Sequence, residues 1–411
     1  MKTIAWAAAC VAGLASVSVH ADLVTDWCEK ATTVAYQPAP GTPNTPATTG
    51  SRHLTMTHIA MFEAANSIDR RYTPYRQLIP AEPNASREAA ISAAAYGVLA
   101  KVSLHPEKTK EYEAFYQAML AKIPDGPAKA AGIAVGERAA QAILSERADD
   151  GSVTVNDYRP ATTPGVYVPT QMPAAINWFK VKPFAMTRPD QFRAPPPYAL
   201  TSAEWARDYN EVKRMGAKVG SARNEEQTRI AKFWEFTGPG TYMPLGTGIV
   251  KQKSADLTDS ARALALLSMA SHDAAIAVFD SKYGYNFWRP VTAIRNGDRD
   301  GNDATERDDR WEPFIPTPMH PEYPCAHCTM QGAAAAALRG VYGNDIPEVK
   351  LASTTAPGVE RRFTRLSDYV DEVVNARIYD GVHYRTSGEA GATLGRQVGE
   401  YTFANYFKPV R

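Results

Sequence analysis

The chain has 411 residues, 44% hydrophobic and 22% charged, the balance of a folded globular protein rather than a disordered one. Its 45 Lys and Arg against 44 Asp and Glu leave a formal charge of +1. No long-range field would therefore draw in nucleic acid or an anionic membrane, and any affinity for anions must be local.

At the N-terminus, Met1-Lys2 gives a positive start, Ile4 to Val19 an apolar stretch, and Val19-His20-Ala21 a small-residue cleavage pattern. Residues 1–21 thus read as a removed signal peptide, and the protein as exported to the periplasm or the medium. A retained anchor is the alternative, disfavoured because the stretch falls short of the ~20 residues a span needs. No later segment reads as long enough to cross a bilayer. Cys10 leaves with the signal; Cys28, Cys325 and Cys328 remain, an odd number in a disulfide-permissive compartment, so at least one thiol stays free or pairs between chains.

Residues 22–50, rich in Pro, Thr and Gly from Gln37 onward, are expected to form an extended linker. Helical periodicity then sets in over residues 51–148. His58 to Ala65, Arg87 to Val102, Lys108 to Lys122 and Pro127 to Arg147 carry apolar residues at helical spacing, with Ser86 and Asp125 where N-caps belong. Residues 149–200 change character, with many prolines, scattered aromatics and no sustained period, and read as a long irregular crossover between two helical halves. The second half, residues 201–411, predicts helices from Ser202, over Asn224 to Phe236, Ser260 to Asp280, Gln331 to Tyr342, Arg362 to Tyr379 and Glu389 to Phe407. Alternating strand patterns are almost absent and no short repeat is evident. The fold class expected is all-α, a helical-bundle core with a Pro-rich crossover.

Three segments of the second half carry a basic, histidine-rich set. In Lys282-Tyr-Gly-Tyr-Asn-Phe-Trp-Arg289-Pro290, seven helical residues would return Arg289 nearly to the face of Lys282, about 10 Å further along. Gly284 and Pro290 argue for an irregular turn instead, and two solvated cations on an aromatic surface are the bland alternative. In Pro324-Cys325-Ala326-His327-Cys328, an Ala-rich helix begins whose free N–H groups and positive dipole end suit an anion. His327 at its rim is placed for proton transfer, although a lone histidine there is more often structural. In Arg377-Ile-Tyr-Asp-Gly-Val-His383, an unbroken helix would set the two side chains about 120° apart. Gly381 can break the helix at positive φ, and convergence depends on that break.

Together these segments resemble the signature of the vanadium-dependent haloperoxidase and type-2 phosphatidic-acid phosphatase superfamily: Lys, six residues, Arg-Pro; then Pro-Ser-Gly-His; then Ser-Arg, five residues, His, three residues, Asp. The stretch Ala263 to Arg295 and the loop Ile315 to Pro324 are similar to the soluble bacterial haloperoxidase branch. The resemblance implies two packed four-helix-type bundles and vanadate as cofactor, with no haem or flavin. It implies that His383 binds the metal, or attacks phosphorus in a phosphatase. Lys282, Arg289 and Arg377 would neutralise the oxygens of vanadate or phosphate, with Cys325 as a weak donor and the Ala326 N–H as a further one, while His327 acts as acid and base at the opposite apex. His320, seven residues before His327, stands where bromoperoxidases of the family carry a second histidine; it is the halide-side candidate and favours bromide or iodide, unless it is simply a loop histidine. The implied activity is oxidation of halide by hydrogen peroxide to hypohalous acid, passed to a small organic acceptor. The alternative is an exported acid phosphatase acting on phosphate esters through a phosphohistidine. A catalytically silent vanadate or phosphate binder is third. Length and the aromatic run Tyr283 to Trp288 favour the haloperoxidase branch.

The sequence departs from the signature at Cys325, Ala326 and Ala376, and at Ser387, which replaces the Asp that orients the metal-binding histidine. Glu389 is the substitute considered for it. Cys325-Ala-His-Cys328 also looks like a thiol–disulfide motif, but the βαβ setting of a thioredoxin-like enzyme is absent; a disulfide here would bear on the anion site. A structural zinc site lacks a second cysteine pair. Asp298-Arg-Asp300-Gly-Asn302-Asp303 resembles a calcium loop with its glycine too early, so a solvated acidic loop is expected and calcium is not. Oligomeric state is not legible.

Overall fold

A computed structural model describes residues 23–36, 45–103, 105–153, 155–254 and 256–410. The signal-peptide reading of residues 1–21 lies outside them. The described chain runs through α1 (Leu23–Tyr36), α2 (Ala47–Asp69), α3 (Arg87–Val102), α4 (Pro106–Leu120) and α5 (Pro127–Glu146). After the crossover come α6 (Ala203–Met215), α7 (Glu225–Phe233), α8 (Met243–Lys253), α9 (Leu257–Tyr285), α10 (Pro290–Arg295) and α11 (Ala326–Tyr342). An antiparallel hairpin, β1 (Asp345–Ala352) and β2 (Glu360–Arg365), then leads into α12 (Leu366–Tyr379) and α13 (Arg385–Asn405).

Two helical trios built alike form the core. In the first, α2 packs on α3 and α5, which pack on each other; in the second, α9 stands in the same relation to α11 and α13, and α2 and α9 join the halves. Both trios close by the same device, a helix whose glycines admit a neighbouring backbone. A Cβ at Gly136 of α5 would meet the Ala90 carbonyl oxygen at 2.2 Å, and one at Gly395 of α13 would meet that of Thr329 at 2.0 Å. The all-α reading with two bundles therefore describes the fold, with the short hairpin as an addition.

The crossover is irregular, as its prolines imply, and is pinned by side chains of the bundles. Asp273 of α9 accepts the N–H groups of Phe184, Ala185 and Met186, each at 2.7 Å, while Arg147 donates to the carbonyls of Lys182 and Pro183. Arg193 forms a bidentate pair with Asp280, also on α9. This answers how a long non-helical segment stays ordered: its backbone groups are satisfied by buried side chains rather than by a ladder.

Several expectations need correction. Residues 23–36 are helix rather than extended linker: Val24, Trp27, Cys28, Ala31, Val34 and Ala35 make one buried stripe at helical spacing. The helix expected over Arg362 to Tyr379 begins only at Leu366, because Arg362 to Arg365 pair with β1. Gly126, at φ +154, precedes Pro127 at the start of α5, so Asp125 is not the cap and pairs instead with Lys129. The acidic loop is not merely solvated: buried Asp300 accepts from the Trp205 indole and the Thr305 hydroxyl. α9 is also long and apolar enough to cross a membrane, contrary to the reading that no later segment is, but almost all of that stretch is buried between the other helices.

Glu63 of α2 is buried and accepts the Tyr75 N–H at 2.6 Å; burial pushes its carboxyl up to about 7. The folded state thus keeps a proton that the unfolded chain releases above about pH 4.5, so this group costs stability progressively as pH rises from there to about 7. Glu63→Gln should remove that slope. Melting curves of the variant and the parent protein should converge near pH 4.5 and diverge in favour of Gln by on the order of 2 kcal/mol at pH 8; a parallel pH dependence would refute this.

Candidate functional site

Each of the five cationic or imidazole residues singled out by spacing sits at a helix end or in the turn beside it. α9 stops at Tyr285 because Asn286 takes the left-handed conformation at φ 50, its N–H returning to the Lys282 carbonyl. The chain then doubles back as Phe287 and Trp288 bury themselves against Trp205 and Tyr384. That places Arg289 just before Pro290, the first residue of α10. The irregular turn, not a continuous helix, brings Lys282 and Arg289 together.

His327 lies in the first turn of α11, behind Cys325 at the cap position. Arg377 closes α12, and Gly381, at φ 78, turns the chain so that His383 comes back beside it. Both the His383 and Val382 N–H groups fold onto the Arg377 carbonyl.

The five side chains are buried and lie within electrostatic reach of one another. Arg289 lies 3.2 Å from His383 Nε2 and donates to His320 Nδ1 at 2.9 Å and to the carbonyls of His320 and Val382. Lys282 donates to the carbonyls of Pro321 and Glu322 at 2.8 and 2.7 Å. Arg377 donates to the Trp234 carbonyl and to Asp380 at 2.7 Å, and its Nε lacks a hydrogen-bond partner among the described residues. His327 and His383 both feel the charges of Lys282, Arg289 and Arg377.

Two tautomers follow from an accepting carbonyl beside His327 and a donating guanidinium beside His383 Nε2. The Phe236 carbonyl, 2.9 Å from His327 Nε2, fixes the proton there and leaves Nδ1 as the basic nitrogen. Glu322 Oε1, 2.7 Å from His383 Nδ1, holds the proton on that side and leaves Nε2 with its lone pair toward the cations. Burial drives both imidazoles to the neutral form, His327 down to about 3 and His383 well below its ordinary value, the three cations adding to the effect.

The electrostatics favour an anion. Burial holds the Lys282 ammonium well below its ordinary range, with the Arg289 charge next in importance, and lowers Arg289 to about 10. Against these three cations stand Glu322 and Asp380, each pushed up to about 7 by burial and each with one oxygen that has no hydrogen-bond partner among the described residues. Open grooves lie elsewhere: one of about 950 Å³ is lined by Arg207, Lys213, Arg214, Trp311 and Arg385.

Residues 262–411, which include all five side chains, match the model of the second helical-bundle domain of vanadium chloroperoxidase. That match supports the superfamily that the three segments resemble. It is 28% identical over 193 residues to vanadium chloroperoxidase of Curvularia inaequalis; that match covers 39% of this chain and 31% of the length of its relative. Its fold is that of a bacterial vanadium-dependent iodoperoxidase, with a TM-score of 0.79, 23% identity, and 94% of this chain and 97% of the other covered. A bacterial vanadium-dependent chloroperoxidase in its holo form gives 0.71 at 18% identity, with coverage of 87% and 91%.

A vanadate-sized oxyanion fits the residues present, since three buried cations, an orphaned guanidinium Nε and a neutral Nε2 need what such an anion supplies. Two family positions differ from expectation. Cys325 is bonded to Cys328, and its sulfur accepts the Cys328 N–H; with no S–H left it cannot donate to an oxyanion, which corrects its assignment as a donor. The first-turn N–H of Ala326 still belongs to the open end of α11. Glu389 is exposed on α13 and is not the missing carboxylate. Glu322 is: it holds His383, accepts the Tyr384 N–H at 3.2 Å, and is hydrogen-bonded by Ser387, the residue at the family's Asp position. The Glu in the loop before Pro324 was visible in sequence, but only the fold shows which imidazole it meets.

Glu322→Ala should weaken vanadate binding by about 10- to 100-fold, measured by equilibrium dialysis, with Glu322→Gln in between and Glu389→Gln unchanged. Equal affinity for Glu322→Ala and the parent protein would remove the positioning role. Restoring a hydroxyl by Cys325→Ser with Cys328→Ala should tighten oxyanion binding about fivefold, the worth of one neutral hydrogen bond; weaker binding by a protein whose melting temperature is unchanged would contradict it.

Proposed function

We propose that this protein is a vanadate-dependent haloperoxidase that oxidises bromide or iodide with hydrogen peroxide, acting outside the cytoplasm after removal of residues 1–21. The observation that carries the proposal is His383, its Nδ1–H bound by a buried carboxylate and its Nε2 turned to three buried cations. The match of residues 262–411 to the second bundle of vanadium chloroperoxidase supports it, as does the likeness in fold to an iodoperoxidase and a chloroperoxidase.

Vanadate, when bound, supplies a Lewis-acidic centre that activates peroxide without changing oxidation state. His383 Nε2 would be the ligand for the metal, and Lys282, Arg289 and Arg377 would neutralise its oxygens, with the Ala326 N–H as an uncharged donor. His327 Nδ1, neutral at ordinary pH, takes a proton from incoming peroxide, and the Phe236 carbonyl steadies the imidazolium that forms. Half-buried His320, edge-on to Phe279 and hydrogen-bonded to Arg289, lies where the cluster approaches the surface and defines the halide side. Burial, with the Lys282 and Arg289 charges next, holds it uncharged. The organic acceptor meets the oxidant beyond this rim.

The same cage suits a phosphoryl transition state, with His383 Nε2 as nucleophile, because vanadate and pentacoordinate phosphorus share a shape. One experiment separates the two. After reconstitution with orthovanadate, bromination of an activated diketone and formation of triiodide are followed with peroxide, beside hydrolysis of an aryl phosphate without vanadate. Halide oxidation should appear and should fall by about 10²- to 10⁴-fold in His327→Ala. Fast hydrolysis with halide oxidation absent at every pH would reverse the assignment.

A further inference from the structure

Among the described residues two methionines are exposed, Met172 and Met319. Met172 and Met319 are 72% and 40% exposed, whereas Met56, Met61, Met243 and Met269 are buried to within a few per cent and Met330 is half-buried on α11. The two exposed methionines belong to one rim. The Met319 carbonyl accepts the N–H of Ala174, two residues beyond Met172, and the Ala174 carbonyl accepts the hydroxyl of Tyr283, the residue after Lys282. Met319 immediately precedes His320, whose carbonyl and Nδ1 both bind Arg289. Lys282, Arg289, Arg377 and His383 are almost wholly buried while His320, bonded to Arg289, is only half so, which makes this rim one side on which the cluster approaches solvent.

We propose that Met319, with Met172 behind it, is an oxidation site for the hypohalous acid the enzyme releases; the inference rests on the haloperoxidase reading. The thioether lone pair attacks the halogen, forming an S–X bond as the X–O bond breaks and hydroxide leaves. Water then adds to sulfur, expelling halide, and one of its two protons neutralises the hydroxide. The sum is thioether plus HOX giving sulfoxide, H⁺ and X⁻: sulfur is oxidised by two electrons, the halogen is reduced to halide, and peroxide is the terminal oxidant. Met172 is the more exposed, but Met319 adjoins His320, which bonds Arg289, so Met319 lies next to the cluster and meets emerging oxidant first. Oxidant that strays onto the rim is thereby returned as halide before it reaches Tyr283 or Phe279, and the sulfoxide formed is of the kind that reductases reverse.

The test uses the vanadate-loaded full chain turning over peroxide and bromide in excess free methionine amide, which intercepts oxidant that has reached bulk solution, with peptide mass spectrometry reading one-oxygen adducts. At equal total oxidant, Met319 sulfoxide should be roughly tenfold more abundant in turnover than after external hypobromite, reflecting formation of the oxidant beside it. Met319→Leu should leave the bromination rate unchanged and move the adduct to Met172. Equal labelling from inside and outside, or oxidation by peroxide without halide, overturns the inference. Halide oxidation with Met319 unmodified overturns this inference alone, while absence of any halide oxidation overturns the functional reading with it.

Discussion

Three positive charges, on Lys282, Arg289 and Arg377, are held together out of water, and the rest of the second half is arranged to make that tolerable. Each would be costly if left bare in a low-dielectric interior. Main-chain carbonyls from three separate turns solvate them, those of Trp234, His320, Pro321, Glu322 and Val382. Such carbonyls are free only where helices end, which is why every member of the cluster lies at a terminus or in a loop. The long helices supply rigidity, and their ends supply polar groups.

Within this positive setting the two imidazoles are given different tasks by different acceptors. A neutral carbonyl on His327 fixes a tautomer and leaves its basicity to the environment. An acid on His383 fixes a tautomer and also strengthens the far nitrogen as a ligand or nucleophile. Because the Glu322 carboxyl is pushed up to about 7 and its second oxygen has no hydrogen-bond partner among the described residues, the support it gives is itself sensitive to what occupies the cation cluster.

Much of the site was legible because the chemistry is local in sequence: two cations seven residues apart, a histidine at a helix start, and a glycine between Arg377 and His383. The helical periods were legible too, but the ends were not, and the site lies at the ends. α1 was overlooked although its buried stripe is regular, because the Pro-rich run after it dominated the composition. The hairpin was hidden by charged residues on its open face, with alternation visible only as burial of Ile346, Val349 and Leu351. Glu322 could not be assigned to His383, since 61 residues separate them and only the packing of the loop against α13 brings them within 2.7 Å. Cys325 and Cys328 had the spacing of a disulfide, but whether they form one depends on the shape of the turn at the cap.

The turn that carries His383 has a silent partner outside the catalytic sequence. At Gly381 a Cβ would lie 2.3 Å from the Gly216 carbonyl oxygen, and at Gly216 it would lie 2.3 Å from the Gly381 Cα, so two bare main chains touch where α6 ends. Residue 216, distant from every motif and chemically inert, therefore sets how near the loop carrying His383 can lie to α6. A graft of residues 377–383 into another helical scaffold would carry all the reactive atoms of that segment and still miss their position unless it brought an equally naked stretch of backbone to lean on.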